Sequence, residues 1–472
     1  MRKILEGSLL YRLLTAAANW IDRQWRKSFL SRLFTLPKGE RGGTGVLAAL
    51  AHKAHMGLCR SFEALRLDRA LEGSVTQRAF FWVALTVFWG PILPTMAVLA
   101  LALLAFGSLF LVYGKHRERE AVHTPLTKWI LLFAGVELGS TLLSVTMRES
   151  LRTGLLMAAF TLFALTVPDV CRERRELDRL LGIMIASGAL VALAGVAQAV
   201  IGVEGNLVWI DEVEFSNISL RVWSTLENPN VLSEYLLLVI PLAAAGVYTA
   251  KSRMGKLASG LGAAAMLMCL MLTWSRGGWL GLAVAAALFL VLMDRRFIPL
   301  GLLGAVGLLA ILPDSIMTRL LSVGNMADSS TSYRVYIWMA CLNMLKDYWL
   351  SGFGTGVAAF QAVYPHYSFN AVFAPHSHNL FLQTFCENGI LGILALPGSF
   401  CSAALCLGRT LTAAKDKRTK VQAAALMASV AGFAAQSMTD HSFYNFRVEL
   451  MFWTVVGAAA ALYALVTKEA RE

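Results

Sequence analysis

The chain has 472 residues, 57% of them hydrophobic and 15% charged, with a formal net charge of +12 and a mean hydropathy of +0.60. Soluble domains are nearer a quarter charged, so this composition belongs in lipid. The basic excess does not point to nucleic acid, because Lys and Arg lie between apolar runs and at the N-terminus, the pattern that orients membrane proteins. The seven cysteines form no CxxC pair, and only Cys341 falls in an expected outer loop, so a disulfide framework is not expected.

Residues 1–73 are interrupted by charge and lack the apolar stretch of a cleavable leader. Leu9, Leu10, Leu13, Leu14 and Trp20 recur at near-helical spacing among Arg12, Arg23, Arg26 and Lys27, and residues 28–34 repeat the theme. This predicts a cytoplasmic extension of basic amphipathic helices on the inner membrane surface, against the alternative of a poorly ordered basic tail.

A membrane span needs roughly 20 apolar residues. Residues 79–113 are too long for one, and Gly90, Pro91 and Pro94 divide them into two spans with a tight outer turn. Further spans are expected at 127–146, 153–170, 180–202, 230–250, 257–274, 279–293 and 297–312. Another runs from the 380s to Leu407, the next covers 421–438, and the last ends near Val466. The expectation is an all-α bundle of about 12 transmembrane helices over 79–466, both termini cytoplasmic. Residues 313–378 form a large extracytoplasmic loop with short amphipathic helices. Basic residues crowd the inner connections; the outer ones hold eight: Arg148, Arg152, Arg221, Arg276, Arg319, Arg334, Lys346 and Arg447.

Those outer exceptions invite a reason. Arg276 stands in Ser275-Arg276-Gly277-Gly278 between two apolar spans, where a cation is costly unless it meets an anion or a cavity. The glycines would let backbone approach a ligand; the alternative is an arginine snorkelling to lipid phosphate. Arg221 precedes Asn228-Pro229-Asn230, a helix-start signal in which Asn228 caps and Pro229 takes the first turn. A helix start beside an arginine suits an anion, and plain capping explains it equally. Arg334 and Trp338 share a face of an amphipathic segment, where Trp338 reads as an interfacial anchor.

The densest polar cluster runs from Pro375 to Gly389. As a helix it would begin with His378 and align Asn379, Gln383 and Glu387 on one face. His378 is placed as a general base, and buried Glu387 could orient a donor or a second ring. His376 and His378 raise metal binding only weakly, since no third ligand at characteristic spacing is evident. Asp440, His441, Tyr444 and Arg447 read first as a solvated turn, or else as the completion of the site.

The order of these pieces resembles the O-antigen ligase and polymerase family over roughly residues 79–465: an outer Arg before Asn-Pro-Asn, Ser-Arg-Gly between spans, and a long outer loop closing in His-Ser-His-Asn-Leu and Glu-Asn-Gly. The resemblance implies a membrane glycosyltransferase of cell-surface polysaccharide biosynthesis, acting on an undecaprenyl-diphosphate-linked glycan donor and a glycan, lipid or protein acceptor at the outer face of the cytoplasmic membrane. It implies Arg221 and Arg276 as diphosphate binders, Arg334 as a weaker one, and His378 as the base. His376, Asn379, Gln383, Glu387, Asn228 and Asn230 would support them. With no acidic pair like DxD on the outer face, no cofactor and no metal are expected, and inversion follows from attack opposite the leaving group. A glycan or lipid transporter is the competing reading; it would place charge near the bilayer midplane.

Overall fold

The computed structural model describes residues 8–27, 46–65, 75–203, 220–293, 299, 329–369 and 372–472. The expected span at 297–312 apart from residue 299, the acidic stretch 204–219, Arg319 and the repeat at 28–34 lie outside them. Among the described residues there is no strand. The helices are α1 (Leu9–Lys27), α2 (Val46–Ala64), α3 (Val75–Trp89), α4 (Thr95–Lys115), α5 (Thr127–Leu142), α6 (Met147–Val170), α7 (Arg174–Ile201) and α8 (Pro229–Thr249). After them come α9 (Arg253–Leu272), α10 (Arg276–Met293), α11 (Ser329–Tyr348), α12 (Val357–Val363), α13 (Leu380–Ala413), α14 (Lys417–Ser437) and α15 (Phe446–Glu469).

Eight of these are long and apolar enough to cross a membrane: α4, α6, α7, α8, α9, α10, α13 and α15. Helices α3 and α5 stand where spans are expected but have 15 and 16 residues. Helix α14 has 21 residues and a basic first turn. The apolar side chains that remain exposed, such as Leu103, Phe110, Leu193 and Leu261, face outward, as they should where lipid replaces water.

The core forms around α8, α14 and α15, whose residues are buried along most of their length. Small residues permit close crossings. A Cβ on Gly281 of α10 would lie 2.7 Å from the Gly432 carbonyl of α14, and one on Gly457 of α15 would lie 2.6 Å from the Ala164 carbonyl of α6. Phe433, Phe443, Phe452 and Trp453 stack into the interior, with Phe433 and Phe452 rings 4.9 Å apart.

The connections sort into two ends. At one end Arg172 bridges Asp169 (2.8 Å) and the Glu120 carbonyl, Arg174 pairs with Glu469 (3.0 Å), and Arg418 with Asp178 (2.8 Å). The other end gathers residues 220–228, 273–276, 350–369, 372–379 and 438–446, and it carries the candidate site. Helix α13 reaches this end with a break. Gly389 has φ 60°, a left-handed value that favours glycine, and the Leu350 carbonyl occupies the space a Cβ would need. The carbonyls freed by the break are met from the loop before α12: Phe353 N donates to Cys386 O and Gly354 N to Glu387 O, both at 3.1 Å, while Ser140 Oγ also donates to Glu387 O. The expected tenth span is therefore a two-turn helix joined to a longer one.

Candidate active site

Helix α8 begins as its sequence dictates. The Asn228 side chain accepts from the amides of Asn230 (2.8 Å) and Val231 (3.5 Å), with Pro229 at the first helical position. Asn228 is thus occupied as a cap. Asn230 is a bridge: its amide oxygen accepts from Arg221 Nη2 at 2.9 Å, and its amide nitrogen donates to Asp440 Oδ2 at 3.0 Å. Buried Arg221 also donates from Nε to the Thr273 carbonyl at 2.9 Å, tying it to the end of α9. Three residues later Arg276 opens α10. Its neighbours Gly277 and Gly278 are helical, and their missing side chains make room for Thr439 and Ser233 respectively, at 2.8 Å and 2.7 Å from where a Cβ would stand. Their smallness admits these two neighbouring side chains.

His378 stands at the centre of this end. Its Nδ1 lies 3.2 Å from Asp440 Oδ1, and the Tyr333 ring packs edge-on at 5.7 Å. Arg334 Nε donates to the Thr439 carbonyl at 2.9 Å, so α11 is pinned to the same turn. Trp338 donates from Nε1 to the Ser377 carbonyl at 2.9 Å; it braces the histidine loop and is not the lipid anchor its sequence setting suggests. His378 does not begin the helix. It sits at φ 50°, ahead of the cap Asn379, whose side chain accepts from Leu382 N at 3.0 Å and donates to the Met438 carbonyl at 2.9 Å. Ser224, Glu227, Trp274 and His378 are the non-glycine residues with positive φ among the described ones, and all four lie at this end. Such backbone costs of order 1–3 kcal/mol each and persists where surroundings enforce it.

Gln383 and Glu387 do share a face, and they serve the scaffold. Gln383 accepts from Ser377 N (2.7 Å) and donates to Glu387 Oε1 (2.8 Å), which also accepts from Gly356 N (2.9 Å). Glu387 therefore holds the loop before α12 and touches no imidazole. The carboxylate that orients a ring is Asp440, 62 residues after His378. The signal for it was an Asp-His pair directly after the eleventh expected span, on the face already holding the histidine loop.

Three imidazoles meet here. The His376 ring lies 4.2 Å from that of His378 and 5.5 Å from that of His441. Burial, then the neighbouring His378 and His441, hold His376 well below the usual histidine range, with Asp440 opposing. Burial pushes His441 down to about 3, against the opposing pull of Asp440. For Asp440 burial pushes upward, but the His378 hydrogen bond and the charges of His378, Arg334 and His376 outweigh it, and the carboxyl titrates far below its usual range. His378 alone has the carboxylate on its ring nitrogen. With its proton on Nδ1 directed at Asp440, Nε2 keeps a free lone pair.

His376, His378 and Asp440 each offer a donor atom within 4.8 Å of the others, a spacing that could hold a metal ion. Their hydrogen bonds compete with that use. His376 Nδ1 accepts the His378 amide at 3.2 Å, which places the neutral ring's proton on Nε2 and leaves no lone pair for a cation.

Residues 261–396 match the Wzy_C family, described as O-antigen ligase. That segment is similar to the O-antigen ligases over somewhat less than a third of the chain. It contains Arg276, Arg334, His376, His378 and the whole Gln383–Gly389 scaffold, while Arg221, Asn230 and Asp440 come from outside it. No curated protein matches the chain significantly. Together with the apolar helices, the match indicates a multi-pass membrane protein with a segment similar to O-antigen ligases.

Proposed function

We propose that the protein is an inverting, metal-independent glycosyltransferase that moves an undecaprenyl-diphosphate-linked glycan onto an acceptor hydroxyl at the outer face of the cytoplasmic membrane. In this reading it has about 12 spans, both termini cytoplasmic and the His378 end outside. One observation carries it: a histidine with a carboxylate on Nδ1 and a free Nε2, joined through Asp440 and Asn230 to a buried arginine.

The acceptor hydroxyl gives its proton to His378 Nε2 while its oxygen attacks the anomeric carbon. The bond from that carbon to the diphosphate oxygen breaks, and the electron pair leaves with the diphosphate. Asp440 keeps the ring in the right tautomer and stabilises the imidazolium as it forms. Arg221, Arg276 and Arg334 meet the charge that develops on the leaving group, where guanidinium forks bind phosphate oxygens best.

Several buried carboxyls favour comparison with the transporter reading: Glu137, Glu234, Glu387 and Glu449 are all inaccessible. Each lies within about two turns of its helix end on the site side. The deciding assay mixes lipid-linked donor, acceptor and purified protein in detergent. A glycosidic product that disappears with His378→Ala and Arg276→Ala supports the enzyme; its absence with wild type, alongside uptake into vesicles, would establish the transporter. Product analysis after gene deletion then separates the two family activities. Short chains still attached mean a polymerase, and long chains left on lipid mean a ligase.

A further inference from the structure

The N-terminal helix α1 is not part of the chemistry, yet it has a defined seat. Tyr11 packs on α13 at Gly408, where a Cβ would stand 2.7 Å from the tyrosine ring, so a glycine there admits the ring. From the break at Gly389 to Gly408, α13 climbs roughly 28 Å at the usual helical rise. The hydrocarbon layer is about 30 Å thick. Helix α1 therefore meets α13 about one hydrocarbon thickness from its break, at the end away from His378.

Its other face has no protein cover among the described residues. Leu9, Leu13 and Trp20 are 71%, 57% and 58% exposed, and Ala16 between them is exposed as well. These positions follow the i, i+4, i+7, i+11 rhythm and form one strip. Exposed Arg12 and Arg23 lie along one edge of it. By sequence, Arg12, Arg23, Arg26 and Lys27 stand against Asp22 alone. A Leu/Trp strip is poorly placed in water and well placed at the acyl boundary, with arginine guanidinia at the level of the head groups.

We propose that α1 is a lipid-binding anchor whose strip Leu9–Leu13–Ala16–Trp20 enters the bilayer surface opposite the site while its arginines hold anionic phospholipid head groups. The argument is independent of the reaction at the other end. Positive charge next to an apolar strip at the edge of the hydrocarbon fits a membrane surface of negative charge. A protein partner would need no such placement at membrane depth.

Hydrogen–deuterium exchange on the full-length protein tests this. The protein is compared in amphipol, in phosphatidylcholine nanodiscs, and in nanodiscs with phosphatidylglycerol added to phosphatidylcholine. Amides of residues 9–27 are expected to exchange at least about tenfold more slowly in the anionic discs than in amphipol, with the protection falling as salt rises. The variant Leu9→Ser/Leu13→Ser/Trp20→Ser should lose that lipid-dependent protection while residues 75–203 exchange as in wild type. The single variant Arg12→Gln should weaken only the anionic-lipid increment. Equal protection in all three environments would overturn the proposal and assign α1 to protein packing alone. Equal protection in the two kinds of disc would overturn the head-group assignment.

Discussion

Replacing Asp440 by Asn keeps the shape of the side chain and changes what it offers His378. The carboxylate accepts from Asn230 on one oxygen and from the His441 amide on the other, where His378 Nδ1 also lies; an amide has one acceptor oxygen for both sides and no charge to stabilise the imidazolium. Transfer is therefore expected to fall about 10²–10⁴-fold with acceptor KM little changed. A kcat measurement on purified protein checks this; a loss confined to KM would contradict it. Arg221→Lys should fail to rescue, because one ammonium cannot reach both the Thr273 carbonyl and the Asn230 oxygen that the guanidinium spans. A titration follows from His441. Its folded value of about 3 lies below the ordinary 6.5, so between those values the unfolded chain binds the extra proton and stability falls as pH falls. The shift corresponds to at most about 5 kcal/mol. Asp440, also depressed, acts in the same direction below the normal carboxylate range. Melting curves between pH 7 and 5 should show this loss; buried His376, also depressed, acts in the same direction, so His441→Asn should reduce the slope without abolishing it.

Helix α13 shows how far an element can be read from its residues. Glycine in an apolar run of this length is no signal by itself, and Gly392 and Gly408 lie in regular helix of the same element. Only the backbone of residues 350–354, wedged against it from a distant stretch of chain, makes Gly389 turn left-handed. Gly389→Ala therefore meets both positive φ and a carbonyl in the Cβ position, and should abolish folded protein or cost several kcal/mol. Gly107→Ala, in α4 with nothing within 4 Å of the added carbon, should be neutral or gain up to about 1 kcal/mol. Thermal unfolding of both variants gives the contrast. By comparison, the start of α8 was legible because Asn228, Pro229 and the amides they serve are neighbours in sequence. The partnership of His378 with Asp440, the occupation of Glu387 by Gly356 and the bracing role of Trp338 were not. Each depends on segments that are brought together only by helix packing.

At the scale of the molecule, the polar connections divide between two ends, and impermeant thiol labelling can tell which end faces out. Phe373, 72% exposed, lies beside the histidine loop, and exposed Glu118 lies at the opposite end. In intact cells Phe373→Cys should label and Glu118→Cys should not, until the membrane is opened; the reverse pattern would invert the proposed orientation. The native cysteines among the described residues are buried or half-buried, which keeps the background low.

The gathering of Arg221, Asn230, Arg276, Arg334, His378 and Asp440 at one end also sets a condition on supply. The diphosphate head group of the proposed donor would reach these side chains only from the leaflet that borders them, so donor inserted in the opposite leaflet would be out of reach however abundant it is. In sealed vesicles with donor spread over both leaflets and a single protein orientation, product formation should stop near half of the donor, and should run to completion when a lipid scramblase is added.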